Sequence, residues 1–391
     1  MPFWKKSGDS RASERVPFQE IVEGANDAIL VVHASSGEIL YANPAIKKLL
    51  NIEPKDLIRQ PFVRICAGDA VARSAELIAD AWEADGAISM ELTLCDSAGT
   101  KVPVEVSTRV DRFSGQPAVI LYVRDIRERL RLLGIIEAQN QKLLESIQYA
   151  RRLQSAALPP PSEVEALLPE SFLIYLPKDI VSGDFYWVAQ RDGYTYLCVG
   201  DCTGHGVPGA MMVMLSLAFL NQALQSMPAP TPGQLLTRLH QSFCATLDVG
   251  QVRDGADAIL IRLAPDHSSL LWASANRPFW YINGGTLHEH RGERRALGGS
   301  TTVDYIWQDC ELHIDDTTRI FLSTDGYADQ FGGPQGKKLM TGAFKRLLTE
   351  TASLPLPQQK AALLDYFYGW KGSMEQVDDV LVVGINLNHK G

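Results

Sequence analysis

The sequence predicts an α+β protein built in three consecutive parts: a small sheet domain, a long helix and a larger domain of two packed sheets flanked by helices. Three observations carry that expectation. Apolar residues alternate with polar ones at Val102, Val104 and Val106, as in a half-buried strand. The stretch from Ile126 to Ala157 contains no proline and a single glycine, then stops at Leu158-Pro159-Pro160-Pro161. Beyond it, acidic residues recur where strand patterns meet glycine turns. A length of 391 residues leaves room for two or three full-sized cores. The expected boundaries are an N-terminal tail over 1–17, a first domain over 18–125, a helical linker over 126–161 and a second domain over 172–388.

In the first domain, Ile29-Leu30-Val31-Val32 reads as a strand, followed across a Ser-Ser-Gly turn by Gly37-Glu38-Ile39-Leu40-Tyr41. Asn43-Pro44-Ala45 breaks that strand and opens a short helix through Leu50. Ser97-Ala98-Gly99-Thr100 reads as a hairpin turn, and a last strand, Ala118 to Val123, exits at Asp125-Ile126-Arg127. This order, with Gly37 to Ala45 and the Asp125-Ile126-Arg127 exit, resembles a PAS sensor domain. Its ligand is unknown: the one histidine, His33, is more simply structural, and Cys66 and Cys95 read as packing thiols.

The middle helix carries an imperfect heptad. Position a holds Ile126, Leu133, Asn140, Ile147 and Gln154, while d holds Arg129, Ile136, Leu143, Ala150 and Ala157. Such a seam suits a parallel homodimer with Asn140 setting register. One amphipathic helix packed on its own chain is the alternative.

The third part offers strands at Tyr194–Gly200, Ala258–Leu263, Leu270–Ala273, Ile320–Thr324 and Val380–Ile385, with a hairpin across Asn283-Gly284-Gly285. Helices are expected at Pro208–Leu224, Pro232–Leu247, Gly342–Leu348 and Pro357–Trp370. Four motifs place acids at strand ends: Ser182-Gly183-Asp184, Gly200-Asp201-Cys202, Ser323-Thr324-Asp325-Gly326 and Val377-Asp378-Asp379. They supply hard oxygen donors and no His/Cys set, which suits Mg²⁺ or Mn²⁺ and not zinc. Two such ions ~3.5–4 Å apart can orient a phosphoryl group for in-line attack.

These motifs, with Pro177 to Trp187, Gly200 to Met212, Ser323 to Gly333 and Glu375 to Val383, closely resemble the type 2C metal-dependent protein phosphatases (PPM family), in their SpoIIE/RsbU branch. The resemblance implies an α-β-β-α sandwich and serine/threonine phosphatase activity through a hydroxide activated by two, or three, Mn²⁺ or Mg²⁺ ions. It implies metal ligation by Asp184, Asp201, the Cys202 carbonyl, Asp325 and Asp378, with Asp201 bridging. Asp379 stands where eukaryotic relatives often have Asn. The family's general-acid histidine does not transfer by position. His205 stands four residues past Asp201 and either takes that catalytic part or orders the glycine loop. Lys178 is the candidate for the missing phosphate-binding cation, or else a surface lysine. The implied substrate is a phosphorylated STAS-type anti-sigma-factor antagonist.

Other classes are less consistent with the chain. Its 46 acids outnumber 37 basic residues, a formal charge of −9, which disfavours nucleic acid and anionic membranes as partners. No signal peptide pattern opens the sequence, and the apolar run Ala210–Leu220 is shorter than a membrane span. Six scattered cysteines fit reduced thiols in the cytoplasm, and none has the C-x5-R spacing of a cysteine phosphatase. Two alternatives remain: a catalytically silent PAS sensor that only binds a partner, and a small-molecule phosphoesterase.

Overall fold

A computed structural model describes residues 18–387 apart from 69, 85–86, 248–253, 266–268, 300–301 and 315–317. The expected tail over 1–17 and the expected domain end at Asn388 lie outside the described residues. The chain divides into two compact units, Met1–Gln141 and Lys142–Gly391.

In the first unit α1 (Phe18–Glu23) precedes β1 (Ala28–His33) and β2 (Ile39–Ala42). Helices α2 (Ala45–Leu50), α3 (Pro54–Leu57) and α4 (Ala70–Ala84), with a 3₁₀ turn at Phe62–Ile65, lead to β3 (Ser89–Cys95), β4 (Lys101–Phe113) and β5 (Gln116–Asp125). The antiparallel sheet runs β2-β1-β5-β4-β3. Val102, Val104 and Val106 are all buried, so the alternation does orient β4, and its other face stays wetter. Asn43 explains the break after β2. Its buried amide accepts from Ile29 N–H at 2.9 Å and donates to the carbonyls of Val22 (3.0 Å) and Asp27 (3.1 Å), pinning the entry to β1. At the hairpin turn the Asp96 carboxylate takes the N–H groups of Ala98 and Thr100 at 2.9 and 2.7 Å. His33 closes the β1–β2 turn, its Nδ1 lying 3.3 Å from Ser36 N.

The exit motif caps a helix. Asp125 accepts from Arg127 N–H at 2.9 Å and pairs with its guanidinium, which starts α5 (Arg127–Ala157) and holds the Asp125 carboxyl below its usual range. Leu133, Ile136 and Leu143 are exposed along α5. At Gln154 the heptad seam ends, because this side chain is only 4 % exposed and packs on its own chain.

The second unit continues with α6 (Pro161–Leu167), β6 (Ser171–Leu176), β7 (Asp184–Arg191), β8 (Tyr194–Cys202), α7 (Gly206–Ser226) and α8 (Pro232–Leu247). Strands β9 (Gly255–Leu263), β10 (Ser269–Ala275), β11 (Pro278–Asn283), β12 (Thr286–Arg291), β13 (Leu297–Gly298), β14 (Cys310–His313) and β15 (Arg319–Ser323) follow. The chain closes with α9 (Gly326–Asp329), the short pair β16 (Phe331–Gly332) and β17 (Lys337–Lys338), α10 (Thr341–Glu350), α11 (Leu356–Lys371) and β18 (Val380–Asn386). One sheet has the order β14-β10-β9-β8-β7, with β13 on β9, and the other β12-β11-β15-β18-β6.

Alternation sorts the second sheet between two cores. Ile320, Leu322, Leu381, Val383 and Ile385 join the large cluster that includes the first sheet, α7 and α8. Phe321, Val380 and Val382 join the cluster formed with α10 and α11. Both faces are thus buried, which explains the unbroken apolar run of β18 and gives the α-β-β-α layering. The 21-residue α7 is long and apolar enough to cross a membrane by length and composition alone. Here it buries Val213, Ser216, Leu217, Leu220 and Leu224, spaced at three and four residues, as a core helix.

Candidate active site and metal centre

The first sheet sets three carboxylates in one row. In the β7–β8 ladder Asp184 is directly opposite Asp201, and in the β8–β9 ladder Asp201 is directly opposite Asp257. Directly paired residues of neighbouring strands project to the same face. Asp184 and Asp201 are acids read from the sequence. Asp257 is not among the residues singled out there, because only the ladder register brings it into the row.

The second sheet meets this row at the ends of β15 and β18. Thr324 spans the two sheets: its Oγ1–H donates to Asp184 Oδ2 at 2.6 Å, and the same oxygen accepts from Leu381 N–H at 3.1 Å. Asp325 follows it, and Gly326 brings Asp325 against Asp378-Asp379. A Cβ on Gly326 would stand 1.8 Å from the Asp379 carbonyl oxygen and 3.3 Å from Asp378 Cβ, so only glycine permits this approach. Asp378 accepts from Asp379 N–H at 2.9 Å. Asp379 turns the other way, its buried carboxylate accepting from Lys178 N–H and Gly183 N–H, both at 2.7 Å. It therefore fixes the loop that delivers Asp184.

That loop has a second clamp. Gln154 near the end of α5 donates from Nε2 to the Ser182 carbonyl at 2.6 Å and accepts Ser182 N–H on Oε1 at 3.1 Å. Ser182 Oγ in turn accepts Asp184 N–H at 3.0 Å. Close packing at Gly183, where a Cβ would lie 2.6 Å from the Gly204 carbonyl oxygen and 3.5 Å from that of Cys202, sets the Cys202 carbonyl beside the Asp184 turn.

The cation among these acids is Arg277, in the β10–β11 turn. Its Nη2 pairs with Asp201 Oδ2 and lies 3.7 Å from Asp257 Oδ2, while Nη1 lies 3.3 Å from Asp325 Oδ2. The side chain is 8 % exposed, and its Nε is buried without a hydrogen-bond partner. Neighbouring Asn276 donates to Asp257 Oδ2 at 2.8 Å. Arg277 carries no signal in the sequence and becomes visible only once the β10–β11 turn is placed against β8.

Burial raises the Asp201 carboxyl to about 7, with Arg277 opposing and Asp325, Asp378 and Asp257 adding to the rise. Burial followed by the charge of Asp201 lifts Asp184 well above its ordinary value, and burial also raises Asp257 and Asp378. Burial works against the Arg277 charge, but Asp201, Asp325 and Asp257 outweigh it and hold the guanidinium protonated. One guanidinium does not offset this much crowded negative charge, and further positive charge would. The donors are carboxylates and a carbonyl, the set preferred by Mg²⁺ and Mn²⁺, so the residues fit such ions. Among the described residues no three metal-capable groups converge on one point, and Arg277 stands between Asp201, Asp257 and Asp325.

The remaining candidates lie around this centre. Lys178 is half-buried, and its charge acts to lower the Asp378 carboxyl against the other influences there. The His205 side chain is 64 % exposed, with Nδ1 3.1 Å from Asp179 Oδ2. Burial pushes the Cys198 and Cys202 thiols far up, which leaves neither available as a thiolate nucleophile.

Residues 191–388 match the Stage II sporulation protein E (SpoIIE) family, and residues 26–128 match a PAS domain family. Asp201, Cys202, His205, Asp325 and Asp378 fall inside the first match, whereas Lys178 and Asp184 precede it. Among solved structures, the SiaA PP2C domain of Pseudomonas aeruginosa is 30 % identical, covering 64 % of this chain and 98 % of that one, with a TM-score of 0.59. The PP2C phosphatase domain of SpoIIE from Bacillus subtilis, with a fragment of its regulatory domain, is 13 % identical over 77 % of this chain and 78 % of that one, with a TM-score of 0.46. The PAS domain of nitrogen regulation protein NR(II) from Vibrio parahaemolyticus is 19 % identical over 28 % of this chain and 98 % of that one, with a TM-score of 0.25. No curated protein matches the chain. With a PAS domain ahead of its phosphatase domain, the chain belongs to the SpoIIE family of PP2C-type, metal-dependent protein serine/threonine phosphatases.

Proposed function

We propose that the protein releases phosphate from phosphoserine or phosphothreonine in a protein substrate, with Asp184, Asp201, the Cys202 carbonyl, Asp325 and Asp378 holding two Mn²⁺ or Mg²⁺ ions. The observation that carries this reading is the meeting of carboxylates from two sheets, a row on β7–β9 facing the β15 and β18 ends across Thr324. When bound, the ions supply Lewis-acid charge and an activated water for in-line attack at phosphorus. The chain's own groups position the rest. Thr324 orients Asp184, and Asp379 with Gln154 fixes the turn before it. Lys178 offers its ammonium to a phosphoryl oxygen beside Asp378, and His205, paired with Asp179, orders the glycine loop that starts α7.

In this reading the substrate is a phosphorylated STAS-type anti-sigma-factor antagonist, which the SpoIIE family membership supports. The PAS domain regulates the phosphatase along α5, whose Gln154 grips Ser182 two residues before Asp184. A homodimer through the PAS domain and α5 accounts for the exposed Leu133, Ile136 and Leu143. A cytoplasmic location accords with free cysteines at all six positions.

The test is Mn²⁺-dependent phosphate release from a phosphoserine protein by the full chain, with Asp201→Asn alongside. The expected result is activity that EDTA and the substitution both abolish. Equal activity in the variant would refute the metal reading, and strong preference for small phosphate esters would move the protein to the small-molecule phosphoesterases.

A further inference from the structure

Arg277 is more than a neighbour of the acids. A guanidinium that only braced a fold would place its five N–H donors against fixed acceptors. This one instead engages Asp201 and Asp325, two of the proposed metal ligands, with Asp257 close by, and leaves Nε buried and unpartnered. The pose is held by the surrounding carboxylates even though it leaves one buried donor unmatched, a costly state for a polar group out of water. The backbone beneath it is independently fixed. Ser274 Oγ–H donates to the Arg277 carbonyl and accepts Arg277 N–H at 3.2 Å, while Asn276 is tied to Asp257. The turn can therefore stay in place while the side chain leaves.

We propose that Arg277 is an internal counter-ion that occupies the carboxylate centre in place of divalent metal and must be displaced for metal to bind. This inference rests on the metal-centre reading given above. It turns an ion pair into a threshold: the phosphatase becomes metal-loaded only when the free ion competes successfully with a tethered cation. A tethered cation that fills the centre about nine-tenths of the time weakens apparent metal affinity about tenfold.

The test measures Mn²⁺ binding by calorimetry and metal-free thermal midpoint for the full-length wild type, Arg277→Met and Arg277→Lys. The expected result for Arg277→Met is a Kd lower by about tenfold together with a lower midpoint in EDTA, since the carboxylates lose their counter-ion. Arg277→Lys, whose single ammonium cannot span Asp201 and Asp325 together, should bind Mn²⁺ more tightly than wild type but less tightly than Arg277→Met; it also serves if Arg277→Met does not fold. Unchanged or weaker Mn²⁺ binding in the variants, with wild type binding normally, overturns the counter-ion and leaves the metal centre standing. Absence of Mn²⁺ binding in all three proteins overturns the metal centre itself.

Discussion

Replacing Gln154 with methionine preserves the length and much of the volume of the side chain while deleting both of its hydrogen bonds to Ser182, at 2.6 and 3.1 Å. Ser182 is fully buried, so its N–H and C=O would be left without partners. Each such loss costs about 1–3 kcal/mol, or about 2–6 kcal/mol for the pair. For a domain of this size, that corresponds to a thermal midpoint lower by roughly 4–24 °C. The same turn carries Asp184, so Mn²⁺ affinity should fall with it, and amide exchange at Gly183 and Asp184 should accelerate. The assay is thermal unfolding in EDTA and in Mn²⁺, with calorimetric Mn²⁺ titration. A midpoint within about 1 °C of wild type and an unchanged Mn²⁺ Kd would refute the claim that α5 braces the Asp184 turn.

Three further substitutions probe other parts of the structure. Gly326→Ala places a Cβ against the Asp379 carbonyl, where backbone must yield on both sides; destabilisation at the upper end of about 1–3 kcal/mol and weakened Mn²⁺ binding are expected in the same unfolding and titration assays. His240 accepts Gly298 N–H on Nδ1 at 2.9 Å, with Nε2 3.0 Å from the Thr302 carbonyl, and burial lowers its pKa below the ordinary 6.5. Its folded value lies below its unfolded value, so the stability it contributes is present above pH 6.5 and is lost as pH falls through the folded value. Thermal midpoints measured in EDTA should therefore drop on acidification below that pH, and His240→Asn should show a shallower slope. His205→Ala, which removes an exposed imidazole paired with Asp179, should lower kcat on phosphoprotein by less than about a hundredfold, short of the typical loss of a general acid.

Local chemistry was legible wherever one segment contained its own explanation. The Asn283-Gly284-Gly285 signal became the β11–β12 hairpin, with Gly284 and Gly285 both at positive φ and Asn283 paired to Thr286. The Val102-Val104-Val106 alternation gave β4 its buried face, and Leu158-Pro159-Pro160 ended α5 as expected. Asp257 and Arg277 were not legible, for a physical reason: each acquires meaning from a ladder register or a turn that joins residues more than fifty positions apart. Gln154 lies on the helix as the pattern predicts, at a heptad position that suggests a dimer seam. Its burial against Ser182 depends on a loop 28 residues away, which periodicity cannot sense. Asp379 stands where eukaryotic relatives often have Asn, which gives it no role from sequence, and only its hydrogen bonds from Lys178 and Gly183 N–H reveal a structural carboxylate.

Because the acids come from both sheets, the spacing of the centre is fixed by whatever keeps the sheets apart. Ile320, Leu322, Leu381 and Val383 belong to that filling. They act as shims: changing their volume alters the gap between Asp184 on one sheet and Asp325 or Asp378 on the other without touching any polar group. Activity in this enzyme can therefore be tuned from its dry interior, and a conservative core exchange can detune the carboxylate geometry in a protein that still folds and melts almost normally.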